Sequence, residues 1–223
     1  MKDFVVRCRR LQHRFHRLQN LIALRLCQRT SSVALVALVV LHHLHLHGTE
    51  ELFAHDPSVL VASVHVHDSS AISPFYPASS GGFAPAGDGA TCGRCDEWAE
   101  GGGGGALNAP LPRGAGVQAF RHAFESVLCP RVEKFAPQLI LLSAGFDAHA
   151  EDPLGGAHDG GPALREDDFA WLTARAVALA DRVCGGRLVS VLEGATSPRS
   201  CAAACAPMCS RSPVSARSYF IID

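Results

Sequence analysis

The sequence predicts an α/β protein built around a mainly parallel sheet. Short apolar runs of strand length alternate along the chain with longer segments of helical periodicity. The apolar runs are nearly continuous, as in strands that are buried on both faces of a parallel sheet. At 223 residues, 48% of them apolar, the chain is long enough for one domain with a substantial core.

Four apolar runs are predicted strands. They span residues 33–41, 59–65, 139–142 and 187–192. Ligand sites in doubly wound sheets form just beyond the carboxyl ends of the strands. The residues that directly follow these runs are therefore the first candidates for chemistry.

Two segments have the periodicity of helices. The first begins at Val117, and Pro130 is expected to kink or restart it. The second spans residues 167–183, with acidic residues in its first turn and Arg182 near its end, as the helix dipole favours. The glycine pair 185–186 is expected to end this helix.

Three other segments lack these patterns. Residues 1–30 carry eight Lys or Arg and one acid, with apolar residues every three to four positions. An amphipathic helix of this kind is typical of a transit peptide, and a surface helix or non-native sequence are the alternatives. Residues 69–106 are predicted to be a long Gly-rich loop. Residues 195–223 are predicted to be a disordered or aberrant tail.

Composition argues against several classes of protein. Twenty basic and 21 acidic residues nearly cancel, so no global field favours direct binding to nucleic acid or to a membrane. The longest apolar run, residues 33–41, is about half the length that a membrane-spanning helix needs. No secretory signal is recognisable. Nine cysteines form no even framework, which favours a reducing compartment.

The clustered cysteines are weak candidates for function. Cys92 and Cys95 form a lone CxxC in the Gly-rich loop, without the second pair that a structural zinc site needs. Cys201, Cys205 and Cys209 are spaced by four residues, but Pro207 interrupts the helix they would share. We interpret these three as composition of the tail.

Imidazoles are concentrated directly after the first predicted strand, in LHHLHLHG at residues 41–48. Neutral imidazole is the commonest metal ligand, and residues two apart on an extended chain share a face. His43, His45 and His47 could therefore share one face, with His42 beside them. An accident of composition is the alternative.

A carboxylate follows the third predicted strand, at Asp147 in SAGFDAHAEDPLGG. Gly145 permits a close backbone approach or an unusual turn there. Asp152, before Pro153, is expected to be a turn residue. Two carboxylates and one histidine with an open coordination position would suit a catalytic zinc that activates water.

The segments LILLSAGFDAHAEDPLGG and FAWLTARAVALADRVCGGRLVSVLEG resemble the zinc-dependent histone deacetylase family, nearest its class II and acetylpolyamine-amidohydrolase-like members. GTEELFAHDPSVLVASVH, FYP and LNAPLPRGAG occur upstream in the family's order. The resemblance covers residues 33–194, which we take as a partial deacetylase domain between an unmatched basic segment, 1–32, and the tail, 195–223.

The resemblance implies an arginase/deacetylase-like three-layer α/β fold, here incomplete, and hydrolysis of acetyl-lysine or acetylated-amine amides. In the family, two aspartates and a histidine hold zinc, a histidine pair transfers protons and a tyrosine stabilises the oxyanion. Asp147 matches one of the zinc-binding aspartates. Tyr76 matches an aromatic wall of the acyl-lysine tunnel, and Gly145 and Phe146 are further predicted substrate-binding residues.

A second, monovalent cation site is implied by the same resemblance. Ser63 and Val64 match positions near that site in the family. Potassium is therefore a predicted second cofactor beside zinc.

The chain departs from the family's pattern at the other metal ligands. Aligned without gaps, the second aspartate ligand falls on His42 and the histidine ligand on Leu44. His45 matches the second histidine of that motif and is a weak catalytic candidate. The metal site is expected to be incomplete or rebuilt from the imidazoles, with His42 and His45 as the candidate ligands.

Further departures affect catalysis. Ala195 and Thr196 stand where the family has a glycine and the oxyanion tyrosine. Residues 1–32 hold no counterpart of the proton-transfer histidine pair. The chain is therefore predicted to be a truncated deacetylase domain, weakly active or inactive. A non-catalytic binding module or a defunct fragment is the alternative.

The resemblance also predicts partners and compartment. The substrate would be an acetylated protein or polyamine, and corepressor-type proteins are candidate partners in chromatin regulation. We expect a nuclear or cytoplasmic protein, with an organelle as the alternative suggested by the Arg-rich N-terminal segment.

Overall fold

A computed structural model of the chain describes residues 36–41, 53, 55–67, 105–153, 160–193 and 218–221. In chain order, the elements are β1 (Val36–Leu41), β2 (Val59–His67), β3 (Gly105–Pro112), α1 (Val117–His122), a π-helical turn (Ala123–Leu128), α2 (Cys129–Phe135), β4 (Leu139–Gly145), a 3₁₀ turn (Phe146–Ala148), α3 (Glu166–Cys184), β5 (Leu188–Glu193) and β6 (Ser218–Ile221).

Within the described residues, the strands form one six-stranded sheet in the order β3-β2-β1-β4-β5-β6. Every neighbouring pair is parallel. Parallel sheets occur where both faces are covered, which explains the continuous apolar runs in the sequence. The predicted α/β class with a mainly parallel sheet is confirmed.

The direction in which strands are added reverses beside β1. The chain adds β2 and β3 on one side of β1, then β4, β5 and β6 on the other. Connections that leave neighbouring strands in opposite directions open a crevice beyond the carboxyl ends of those strands. The fold therefore places its topological switch point between the ends of β1 and β4.

The main core lies between the sheet and the helices α1, α2 and α3. Its largest fully buried side chains include Phe124, Leu128, Leu142, Phe146 and Leu172. A smaller buried cluster contains Phe53, Val59, Val61 and Leu141. Because neighbouring residues of a strand point to opposite faces, Leu141 and Leu142 assign the two clusters to opposite faces of the sheet.

The helix that begins at Val117 is interrupted, as Pro130 predicts. A π-helical turn separates α1 from α2, and Pro130 lies in the first turn of α2. In a regular α-helix the proline ring would clash with the carbonyl of residue 126, and the wider π turn accommodates it. No helix among the described residues has the length and apolar character needed to cross a membrane.

The other predicted elements are present with shifted ends. The strand predicted over 33–41 is described from Val36, and those predicted over 59–65 and 139–142 continue to His67 and Gly145. The helix over 167–183 spans Glu166–Cys184, and Gly185 ends it in the left-handed conformation at φ 61°. The strand over 187–192 spans Leu188–Glu193.

Strand β3 is not predicted by the sequence pattern. The strand spans Gly105–Pro112 and so includes the last two residues of the loop predicted over 69–106. Residues 107–112 have no predicted element. The segment GALNAPLP has low strand propensity because of its glycine, asparagine and two prolines. Proline is tolerated here because β3 lies at the edge of the sheet.

Strand β6 lies inside the segment predicted to be a disordered or aberrant tail. Ser218–Ile221 pairs in parallel with β5, so this part of 195–223 is ordered. Four residues show too little periodicity to be recognised in sequence, and pairing with the edge of β5 selects the strand conformation. The predicted N-terminal amphipathic helix over residues 1–30 lies outside the described residues.

Candidate metal centre

The carboxyl ends of four neighbouring strands meet at one edge of the sheet. Leu41, the last residue of β1, is in register with Val64 of β2 and with Ala144 of β4. Gly145, which ends β4, is in register with Glu193 of β5. The residues that follow β1 and β4 therefore leave the sheet side by side at the switch point.

Asp147 lies in this edge, in the 3₁₀ turn that directly follows β4. Its side chain is only 4% exposed. A carboxylate is costly to bury unless hydrogen bonds or a cation compensate its charge. Gly145 has φ −81° and ψ 117°, an extended conformation open to any residue, so of the two alternatives that the sequence left open, the unusual turn is excluded.

The chain after Asp147 is bound to the segment that precedes α3. The Leu164 N–H donates to the Ala148 carbonyl at 3.0 Å, and the Ala150 N–H donates to the Leu164 carbonyl at 2.8 Å. The Asp152 N–H donates to the His149 carbonyl at 2.9 Å. Asp152 is fully buried, so the predicted turn residue is also part of the interior.

His149 and His65 are buried histidines that the sequence analysis did not single out. Each is 2% exposed. His149 Nδ1 accepts a hydrogen bond from the Glu151 N–H at 3.2 Å. His149 stands in the quoted FDAH motif, two residues after the candidate ligand, and that proximity was the available signal.

The predicted monovalent-cation residues lie near the same edge. Ser63 and Val64 are each 1% exposed, and Ser63 is in register with Val40, one residue before the end of β1. Ser63 Oγ lies 3.0 Å from His65 Nδ1. A buried hydroxyl and nearby backbone carbonyls are the kinds of oxygen that hard cations bind.

The predicted substrate-binding residues Gly145 and Phe146 could offer a substrate only their backbone atoms. Gly145 contributes backbone at the strand end. Phe146 is 2% exposed, and its ring packs against Phe169 inside the core. Tyr76 lies outside the described residues. Any contact between Phe146 and a substrate would therefore involve its backbone.

The remaining sequence candidates lie outside the described residues. They are His42, His43, His45, His47, Cys92, Cys95, Ala195, Thr196, Cys201, Cys205 and Cys209. Within the part of the chain that the structure describes, no three His, Cys, Asp or Glu side chains are grouped so as to hold a metal ion. That part supplies Asp147 as a candidate ligand, and the candidate imidazoles after β1 lie outside it.

The two cysteines within the described ranges are free thiols of low reactivity. Burial, with a smaller contribution from Glu133, raises the pKa of Cys129 to about 11. Burial also raises the pKa of Cys184, whose thiol donates to the Arg187 carbonyl at 3.2 Å. Neither thiol has the depressed pKa of a catalytic nucleophile.

The parallel sheet and the buried Asp147 at its switch point put a candidate ligand where α/β folds bind ligands, and comparison with known proteins specifies the family. The histone deacetylase domain model matches residues 20–211. The chain belongs to the histone deacetylase family, whose members are zinc-dependent. This match is longer than the resemblance seen in the sequence, which covered residues 33–194.

Three relatives illustrate the similarity. The chain is 35% identical over 165 residues to type-2 histone deacetylase 2 of Dictyostelium discoideum, covering 74% of this chain and 9% of that protein. It is 34% identical over 174 residues to the chloroplastic histone deacetylase 10 of Oryza sativa subsp. japonica, covering 78% of this chain and 34% of that protein. The crystal structure of acetylpolyamine aminohydrolase from Burkholderia pseudomallei superposes with a TM-score of 0.59 at 27% identity, over 81% of this chain and 45% of that one.

These relatives confirm the arginase/deacetylase-like fold and the family. They also show that the chain spans about a third of the rice protein and less than half of the Burkholderia one. Matches to part of each relative fit the prediction of a partial deacetylase domain.

Proposed function

We propose that this chain provides the Asp147 side of a zinc site for hydrolysis of acetyl-lysine or acetylated-amine amides. One observation carries the proposal: the buried Asp147 carboxylate follows β4 at the switch point, beside the end of β1. The first residue after β1 is His42. Asp147, His42 and His45 are the residues that would hold the ion.

The donor set fits zinc, which binds carboxylate oxygen and imidazole nitrogen. When bound, zinc would polarise an amide carbonyl and acidify a water molecule. The chain itself would supply Gly145 and Tyr76 to orient the acyl group. His45 could accept a proton only as the alternative to binding the ion, because a zinc-bound imidazole has no free lone pair. Ser63 and Val64 are the residues that would hold potassium.

We expect negligible hydrolysis by this chain on its own. Thr196 stands at the position of the oxyanion tyrosine, and Leu44 at that of the histidine ligand. Removing one oxyanion donor costs about 10²–10³ in kcat. Loss of a metal ligand or a general base adds further orders of magnitude, although such losses do not combine additively.

Zinc content and acetate release test the proposal together. The purified chain, Asp147→Asn and the control Asp167→Asn would be analysed for bound zinc and for hydrolysis of an acetyl-lysine peptide. Asp167 is exposed in the first turn of α3, so its variant controls for charge. One zinc per chain, lost only in Asp147→Asn, supports the proposal. Absence of zinc from the wild-type chain favours the non-catalytic binding module, and zinc-dependent acetate release would overturn the expected inactivity.

Membership of the family supports further proposals about substrate, partners and compartment. The substrate would be an acetylated protein or polyamine, and corepressor-type proteins are candidate partners. The compartment would be nucleus or cytoplasm, with an organelle as the alternative supported by the basic segment 1–32 and by the chloroplastic relative from rice. Imaging residues 1–32 fused to a fluorescent protein separates these compartments.

A further inference from the structure

Phe169, in the first turns of α3, contacts residues on both sides of Asp147. Its ring packs edge-on against Phe146, with centroids 5.2 Å apart and planes at 85°. It also stacks on His149, with centroids 6.2 Å apart and planes at 18°. All three side chains are 2% exposed. The turn that carries Asp147 is therefore in contact with one aromatic ring before and after the carboxylate.

Hydrogen bonds reinforce this contact at His149. Because Nδ1 accepts from the Glu151 N–H, the neutral imidazole carries its proton on Nε2. Nε2 is buried without a hydrogen-bond partner among the described residues, and Glu166 Oε1 lies 3.9 Å from it. The His149 ring is therefore held by its Nδ1 hydrogen bond and by packing on Phe169.

The start of α3 is itself anchored, which fixes the position of Phe169. Asp168 Oδ2 accepts from the Arg165 N–H at 2.9 Å, at the N-terminus of the helix. Asp168 Oδ1 accepts from Arg121 Nη2 of α1 at 2.7 Å. The helix start is thus connected to a second helix by a largely buried carboxylate, one residue before Phe169.

We propose that Phe169, acting through Phe146 and His149, is a positioning residue that holds the Asp147 carboxylate in the orientation needed for metal binding. The inference rests on the proposed function for the metal, but the holding of the turn is a property of the described residues alone. Groups that orient a metal ligand without touching the ion change metal affinity by about 10–100-fold when removed.

The test compares Phe169→Leu with Phe124→Leu in the full chain. Both phenylalanines are at most 2% exposed in the same core, but the ring of Phe124 pairs with Trp171, whereas the ring of Phe169 pairs with Phe146 and His149. Zinc affinity and the visible spectrum of the cobalt(II)-loaded chain would be measured, together with amide hydrogen exchange at Ala150 and Leu164 in metal-free protein. The thermal midpoint of each variant would separate a general loss of stability from a local one.

We expect Phe169→Leu to weaken zinc binding at least about tenfold and to change the cobalt spectrum, while Phe124→Leu leaves both unchanged. Exchange at Ala150 and Leu164 should be faster in Phe169→Leu than in the control. If wild-type zinc binding depends on Asp147 and the two variants behave alike, the positioning role is overturned. If the wild-type chain binds no zinc, the proposed function fails, and hydrogen exchange decides the inference: faster exchange in Phe169→Leu supports it, and equal exchange overturns it.

Discussion

Arg121 of α1 donates a 2.7 Å hydrogen bond to Asp168 of α3, and this ion pair joins the two helices over the core. The Arg121 guanidinium also lies 4.8 Å from the centroid of the Trp171 ring. Asp168 additionally caps its own helix through the Arg165 N–H. One carboxylate therefore fixes both the start of α3 and its contact with α1.

Replacing Asp168 with alanine should lower the free energy of unfolding by about 2 kcal/mol. The variant loses a charge-assisted hydrogen bond, each worth about 1.5–3 kcal/mol, and a capping interaction. Asp167→Ala, one residue earlier and exposed, should change it by less than about 0.5 kcal/mol. Urea unfolding monitored by circular dichroism measures both. Equal effects in the two variants would contradict the role assigned to Asp168.

Substitutions at two helix ends are expected to change the free energy of unfolding in opposite directions. Ala136, after α2, and Gly185, after α3, both adopt the left-handed conformation, at φ 51° and 61°. An L-residue there carries about 1 kcal/mol of strain that glycine avoids. Ala136→Gly should therefore raise the free energy of unfolding by about 0.5 kcal/mol, after the entropy of the unfolded chain is counted, and Gly185→Ala should lower it by about 1 kcal/mol. The prediction fails if both substitutions shift stability in the same direction.

Burial of Cys129 predicts slow alkylation and a loss of stability at high pH. Its pKa is raised to about 11 from an ordinary value near 9. At pH 8 the thiolate, and with it the rate of iodoacetamide labelling, should be reduced roughly 100-fold relative to the denatured chain. Peptide mass spectrometry of the labelled chain reads this position separately from the other cysteines.

The sign of the linked stability effect follows from the same shift. The folded state favours the neutral thiol, so its contribution is fully present below about pH 9 and is lost as the pH rises toward about 11. Subtracting the stability of Cys129→Ala from that of the wild type isolates this component. If the stability of the wild type relative to Cys129→Ala instead increases between about pH 9 and 11, the thiol ionises more readily in the folded protein and the prediction is wrong.

The proposed monovalent site predicts a specific response to potassium. A ligand that binds only the folded state raises the midpoint of thermal unfolding as its concentration increases. The wild-type chain should therefore melt at a higher temperature in potassium chloride than in lithium chloride at equal ionic strength. Ser63→Ala should abolish the difference because it removes the buried hydroxyl. Identical midpoints in both salts for the wild type would exclude potassium binding at this place.

The sequence predicted the elements that have a strong pattern of their own. The apolar run before Asp147 identified β4, because a strand buried on both faces has a continuous apolar sequence. The periodicity from residue 167 identified α3, because a helix buried on one face has apolar residues every three to four positions. Strand β3 was missed because its prolines are permitted by an edge position that only the sheet topology defines.

The candidate site was predictable only in part, for a similar reason. Asp147 stands out because it follows a strand end. Phe169 looks like an ordinary core residue of an amphipathic helix, and His149 looks like an exposed loop residue. Their contact joins segments that are 20 positions apart, and the pairing of Ala148 and Ala150 with Leu164 brings those segments together.

Anomalous diffraction at the zinc edge, from crystals of the chain grown with zinc, tests the central claim most directly. The account predicts an anomalous peak about 2.0–2.2 Å from an Asp147 carboxylate oxygen, beyond the end of β4, with imidazole nitrogens from residues 42–47 completing the site. A zinc peak bound elsewhere, with the Asp147 carboxylate bonded only to protein groups, would contradict it.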